Sequence, residues 1–146
     1  MENQSTTQLL EQLKKTDIDD MKPYFKALNY QAYFGFSDFI EDMLAQRGMS
    51  KQQLFIEANL PQKYGYKLIS GEAHTIRRDK ILRLLLALKP DFKQMQRGLS
   101  LYGMNPLYAK NKRDAVIILC IERGIYTAEK INGFLSENGL ETIKEP

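Results

Sequence analysis

At 146 residues, 43% of them hydrophobic and 27% charged, the chain is the size of one domain, or of one core with extensions. A formal net charge of +3 permits contact with nucleic acid but is too small for a general nucleic-acid coat. No run approaches the roughly 18 apolar residues of a membrane span, which argues against a membrane protein.

The chain divides into three parts, all predicted helical. In residues 1–35, an N-terminal helical extension, Ser5 and Gln8 have capping-box spacing ahead of Leu9, Leu10 and Leu13. A second short helix is expected from Asp19 or Asp20, with Pro23 in its first turn. Tyr24, Phe25, Leu28, Tyr30, Tyr33 and Phe34 read as packing this extension onto the core, in preference to stacking on bases.

Residues 36–104 form the predicted core. Ser37 is expected to cap a helix with Phe39, Ile40, Met43 and Leu44 on one stripe, closed at Arg47-Gly48. Ser50 caps the next, where Lys51, Gln52, Gln53 and Leu54 are strong helix formers. Asn59 suits the left-handed conformation that turns the chain, and Leu60 plugs the core. A helix over 61–70 follows, ended by Gly71. Thr75 is expected to cap a helix over 76–88, whose leucines and isoleucine cover most of its circumference and make it the buried centre. Pro90 breaks it, and Asp91 caps a helix carrying Phe92, Met95, Leu99 and Tyr102.

Residues 105–146 read as a helical hairpin packed on the core. The run 113–123 is apolar at its centre and ends at Gly124. Its Val116, Ile117, Ile118 and Ile121 also suit a buried strand, but no second strand of comparable quality exists to pair with it. Thr127 caps the last helix, with Ile131, Phe134 and Leu135, and Asn138-Gly139 stops it. The expected fold class is all-α.

Nothing in the pattern predicts catalysis or a cofactor. His74 and Cys120 are each the only residue of their type and lie far apart, so no metal-ligand spacing exists. Asp17, Asp19 and Asp20 lack the glycine and glutamate of a calcium loop and read as a capping cluster. No glycine-rich phosphate loop or nucleophile elbow appears. Cys120, inside AVIILCI, reads as a buried small hydrophobe. A lone cysteine, and a start without a cationic or apolar signal region, predict a cytoplasmic protein.

The stretch from Ser50 to Gly71 resembles the lambda-repressor-like, or XRE-type, helix-turn-helix family. Leu54 falls four residues after the serine cap, Phe55 five, Leu60 ten and Gly71 twenty-one, which matches that family's register. The resemblance covers about 36–103 and implies a five-helix core. Phe55 is larger than the alanine usual at its slot, and Gly65 stands where a buried isoleucine or valine is usual. The pair suggests that the Phe55 ring fills the space left by Gly65. The family register implies base contacts from Gln62, Lys63, Tyr66 and Lys67 on the helix over 61–70, which would lie in the major groove of double-stranded DNA. It implies phosphate contacts from Lys51, Gln52, Tyr64, Arg77 and Arg78, and a homodimer reading two half-sites. The segments RRD at 77–79 and KRDAVI at 112–117 resemble bacterial proteins that add a C-terminal helical hairpin to this fold; no activity follows from them. The competing expectation is a protein-interaction module that uses the same fold as a docking surface.

Overall fold

A computed structural model describes residues 6–144, which form α-helices and turns without a strand. The helices are α1 (Thr6–Lys14), α2 (Lys22–Arg47), α3 (Lys51–Ala58), α4 (Gln62–Ser70), α5 (Arg78–Ala87), α6 (Phe92–Tyr102), α7 (Lys112–Glu122) and α8 (Ala128–Glu137). The all-α expectation therefore holds. The capping-box serine proposed for α1, Ser5, lies outside the described residues, as do the side chains of Tyr30, Tyr33 and Phe34.

Helix ends follow local chemistry where a good cap is present. Ser50 and Gln53 form a reciprocal capping box, and Asp91 and Gln94 form another. Thr127 accepts from the Lys130 N–H, and Gly48, Asn59, Gly71 and Gly103 end their helices in the left-handed conformation. Two expected caps are not used. Ser37 lies inside the 26-residue α2, so the boundary drawn at residue 35 falls in mid-helix. Residues 28–36 contain no proline, and the helix runs through Gly35 without a break. Thr75 does not start α5; its hydroxyl accepts from the Arg77 N–H and shapes the preceding turn, and the helix begins at Arg78.

α5 is the centre. Its residues from Ile81 to Leu88 are all buried. α3 and α6 pack on it, and α2 packs on α4 and α6. Phe36, Ile40, Met43, Leu54, Phe55, Leu68 and Met95 fill the interior between them. α7 packs against α8 and α6, contributing Ile117, Cys120 and Ile121, while α8 contributes Ile131 and Leu135. Cys120 is buried, as expected, and burial pushes its thiol up, with Arg123 opposing.

Two Arg-Asp dipeptides tie the hairpin to the core. Arg78-Asp79 opens α5 and Arg113-Asp114 opens α7, and they pair crosswise. Arg78 donates to both Asp114 oxygens at 2.8 and 3.0 Å and to the carbonyls of Asn105 and Pro106. Arg113 donates to both Asp79 oxygens at 3.0 Å and to the carbonyls of Glu141 and Thr142. Each arginine thus makes a two-pronged carboxylate contact and holds a loop. The tail is fixed further by Arg83, which donates to the carbonyls of Ile143 and Lys144. Asn132 exchanges two hydrogen bonds with the backbone of Ile143.

Burial works to raise the Asp79 pKa, but hydrogen bonds from Arg113 and the Lys144 N–H, with the charges of both residues, hold it below the ordinary value of 3.8. A depressed carboxylate stabilises the fold above its unfolded pKa and loses that contribution as pH falls through the folded value. Wild type is therefore expected to be more stable than Asp79→Asn by a constant margin above about pH 5, near-complete ionisation of an unfolded aspartate. That margin should shrink as the pH drops below 3.8. Urea melts of both proteins between pH 2.5 and about 6 read it directly; a margin independent of pH would exclude ionised Asp79 as its source.

Candidate nucleic-acid interface

α3 and α4 are joined by Asn59, Leu60 and Pro61. Asn59 takes the left-handed conformation at φ 56°, and Leu60 is buried behind the turn. Pro61 precedes α4 without a side-chain cap, at a position where its missing N–H costs no intrahelical bond. One face of α4 is anchored by Gly65, Leu68 and Ile69, all buried. The opposite face is open: Gln62, Lys63 and Tyr66 are exposed, and Tyr64 and Lys67 are half-buried.

Phe55 and Gly65 fit as a pair. A Cβ on Gly65 would lie 2.5 Å from two Phe55 ring carbons, so the ring occupies the volume that a side chain there would need. Tyr66 packs edge-on against the same ring, with centroids 5.0 Å apart. The cost of a helical glycine, about 0.5–1 kcal/mol relative to alanine, is set against close helix contact. Gly65→Ala is expected to destabilise the protein on balance, because overpacking typically costs about 1–3 kcal/mol. Denaturant titration checks the sign. A more stable Gly65→Ala would mean that Phe55 moves aside freely.

The expected phosphate contacts separate into two groups. Arg77 and Lys63 are exposed and Lys67 is half-buried, and none of the three makes an ion pair among the described residues. Gln52 is exposed near the start of α3. Tyr64 lies under Lys80, whose ammonium is 4.7 Å from its ring centre. Lys80 thereby adds a cation beside α4 that the sequence did not single out. Lys51, by contrast, pairs with Glu41 of α2 and sits 5.9 Å from the centre of the Tyr66 ring. Arg78 is turned toward Asp114 and the hairpin, and four hydrogen bonds commit it there. Its role as a phosphate ligand is corrected accordingly: a buried carboxylate competes for the guanidinium. His74 is exposed but stacks flat on Tyr102, at 4.8 Å and 5°, rather than standing free in solvent. The Tyr102 hydroxyl accepts from the Thr75 N–H, so this stack braces the loop between α4 and α5.

Among the described residues no group of histidine, cysteine and carboxylate side chains is arranged to hold a metal ion, and no helix is long and apolar enough to cross a membrane. Compared with protein-family models, with curated proteins and with solved structures, the chain matches none of them.

Proposed function

We propose that this protein binds double-stranded DNA in a sequence-dependent way, presenting α4 to the major groove as a regulator of transcription in the cytoplasm. The observation that carries the reading is the open face of α4: Gln62, Lys63 and Tyr66 point away from a back anchored by Leu68 and Ile69, with Arg77 exposed nearby in sequence and unpaired among the described residues. Glutamine pairs adenine through two hydrogen bonds and lysine donates to guanine, while Lys67, Lys80 and Arg77 supply charge for phosphates. The resemblance to the XRE-type register supports this reading for Gln62, Lys63, Tyr66 and Lys67 as base contacts and Arg77 as a phosphate contact, while Lys80 is added by its position beside Tyr64. A homodimer reading half-sites about 34–36 Å apart completes the scheme.

Selection from a pool of random duplexes by the purified protein tests it. The expected result is a short enriched motif, repeated in inverted orientation. Failure to enrich any duplex at low salt would overturn the reading.

One set of observations favours docking to a protein instead. Ile56 is 68% exposed and Ile76 89% exposed, on α3 and on the turn before α5, and Glu41 neutralises Lys51. Exposed large apolar side chains and a neutralised lysine suit a protein partner better than a duplex. Under that reading, duplex selection fails while substitution of Ile56 and Ile76 releases the partner.

A further inference from the structure

Arg83 is a buried cation that pairs with no carboxylate among the described residues. It is 7% exposed, in the middle of α5, and its described hydrogen bonds go to two neutral acceptors, the carbonyls of Ile143 and Lys144, through Nε and Nη2. No ion pair joins it among the described residues, and Nη1 makes no hydrogen bond there. A charge removed from water is normally matched by an opposite charge.

Arg83 also lines a cleft of about 390 Å³ between α3, α5 and the start of α8. That volume lies within the range of small-molecule sites. Ala58, Leu86 and Ala87 give the cleft an apolar wall, and Thr127 to Glu129, the first turn of α8, forms another side. The amides at the start of a helix lack intrahelical acceptors and favour a negative group. A buried guanidinium and a helix start therefore border one apolar cleft. The remaining charges are Lys89, Glu57 and Glu129, all exposed at the rim. The two glutamates disfavour a multiply charged anion such as a phosphate ester. They suit a ligand that carries a cation beside its single negative charge.

We infer that this cleft binds a small zwitterionic carboxylate with an apolar body, an α-amino acid being the simplest case. Its carboxylate meets Arg83 and the start of α8, its ammonium meets Glu57 and Glu129, and its side chain lies on Leu86 and Ala87. Because Glu57 and Ala58 belong to α3, the ligand would join the α3–α4 unit to the C-terminal hairpin. Occupancy is thereby placed to influence the proposed interface, although the site stands independently of DNA binding.

Three probes separate the contributions by NMR titration of the full chain: L-leucine, 4-methylpentanoate, which lacks the ammonium, and 3-methylbutylamine, which lacks the carboxylate. L-Leucine is expected to saturate shifts of the amides around Arg83 and Thr127, and each truncated probe should bind at least about tenfold more weakly, the factor that a lost interaction of about 1.4 kcal/mol gives. Arg83→Met should abolish binding of both carboxylates. Since that change also frees the tail and can unfold the protein, Glu57→Gln/Glu129→Gln provides a second test on exposed positions. It should remove the preference for L-leucine over 4-methylpentanoate. Absence of saturable L-leucine binding, equal affinity for the three probes, or a preference unchanged in the double variant would overturn the inference. None of these readouts involves DNA.

Discussion

Asp114→Ala should lower the melting temperature by about 6–12 °C, the equivalent of about 3 kcal/mol in a chain of this length. Asp114 is 5% exposed. It accepts from Arg78 through both oxygens and from the Tyr108 N–H through one of them. Removal of the carboxylate leaves a guanidinium and a backbone donor without their acceptor, the situation that typically costs 3–5 kcal/mol in a buried pair. The low end of that range applies, because Arg78 keeps the carbonyls of Asn105 and Pro106 and its side chain is 24% exposed. The companion pair is more open: Asp79 and Arg113 are 21% and 20% exposed, so Asp79→Ala should cost less. Thermal melts followed by circular dichroism give both values. An Asp114→Ala protein that melts within 2 °C of wild type would show that the crossed pairs do not hold the hairpin, since a 3 kcal/mol loss predicts a much larger shift.

Lys63→Glu/Arg77→Glu is expected to bind its selected duplex at least about 100-fold more weakly than wild type while melting at nearly the same temperature. Neither side chain has an ion-pair partner among the described residues, and both are exposed. Exposed substitutions of this kind move stability by about 0.5 kcal/mol or less each. On the duplex, a lost base contact removes about 1–3 kcal/mol of discrimination, a lost phosphate contact adds to it, and the new carboxylates repel the backbone. Tenfold in affinity corresponds to about 1.4 kcal/mol, so two contacts reach 100-fold. Arg78→Ala serves as the contrast. Its guanidinium belongs to the clamp, so its loss should lower the melting temperature more than it weakens binding at temperatures where the protein is folded.

Most helices were legible because their signals are local. Ser50, Asp91 and Thr127 announce helix starts through side-chain oxygens placed at fixed offsets from backbone N–H groups. Gly48, Gly71 and Asn59 announce stops through the left-handed conformation. The same logic misled at Ser37 and Thr75, where a capping residue type occurs but the backbone has no reason to break. Ser37 sits in a run that is helix-forming on both sides, and Thr75 is spent on the turn. The fit of Phe55 to Gly65 was readable because two departures from one register compensated each other in volume.

The partners of charged residues were not legible. Arg77 and Arg78 are adjacent and look alike in sequence, yet one is exposed with no ion pair among the described residues and the other is committed to Asp114, 36 positions away. The recurrence of Arg-Asp at 78–79 and 113–114 was the available signal; that the two copies interlock depends on the packing of α7 on α6, which itself packs on α5. Lys51 and Glu41 likewise meet only because α2 passes the start of α3. Arg83 reads in sequence as a polar interruption of an apolar helix, and only the fold places it under the tail and beside a cleft.

The claim that α4 faces a duplex is tested most directly by the salt dependence of binding, measured by fluorescence anisotropy with the selected duplex for wild type and Lys63→Glu/Arg77→Glu. Each neutralised phosphate contributes about 0.9 to the slope of log affinity against log salt. The predicted result is a steep linear fall for wild type and, for the variant, much weaker binding with a slope lower by about 0.9 for each of the two residues that meets a phosphate. Wild-type affinity that does not respond to salt, or a variant that matches wild type in affinity and slope, would contradict placement of this face on DNA.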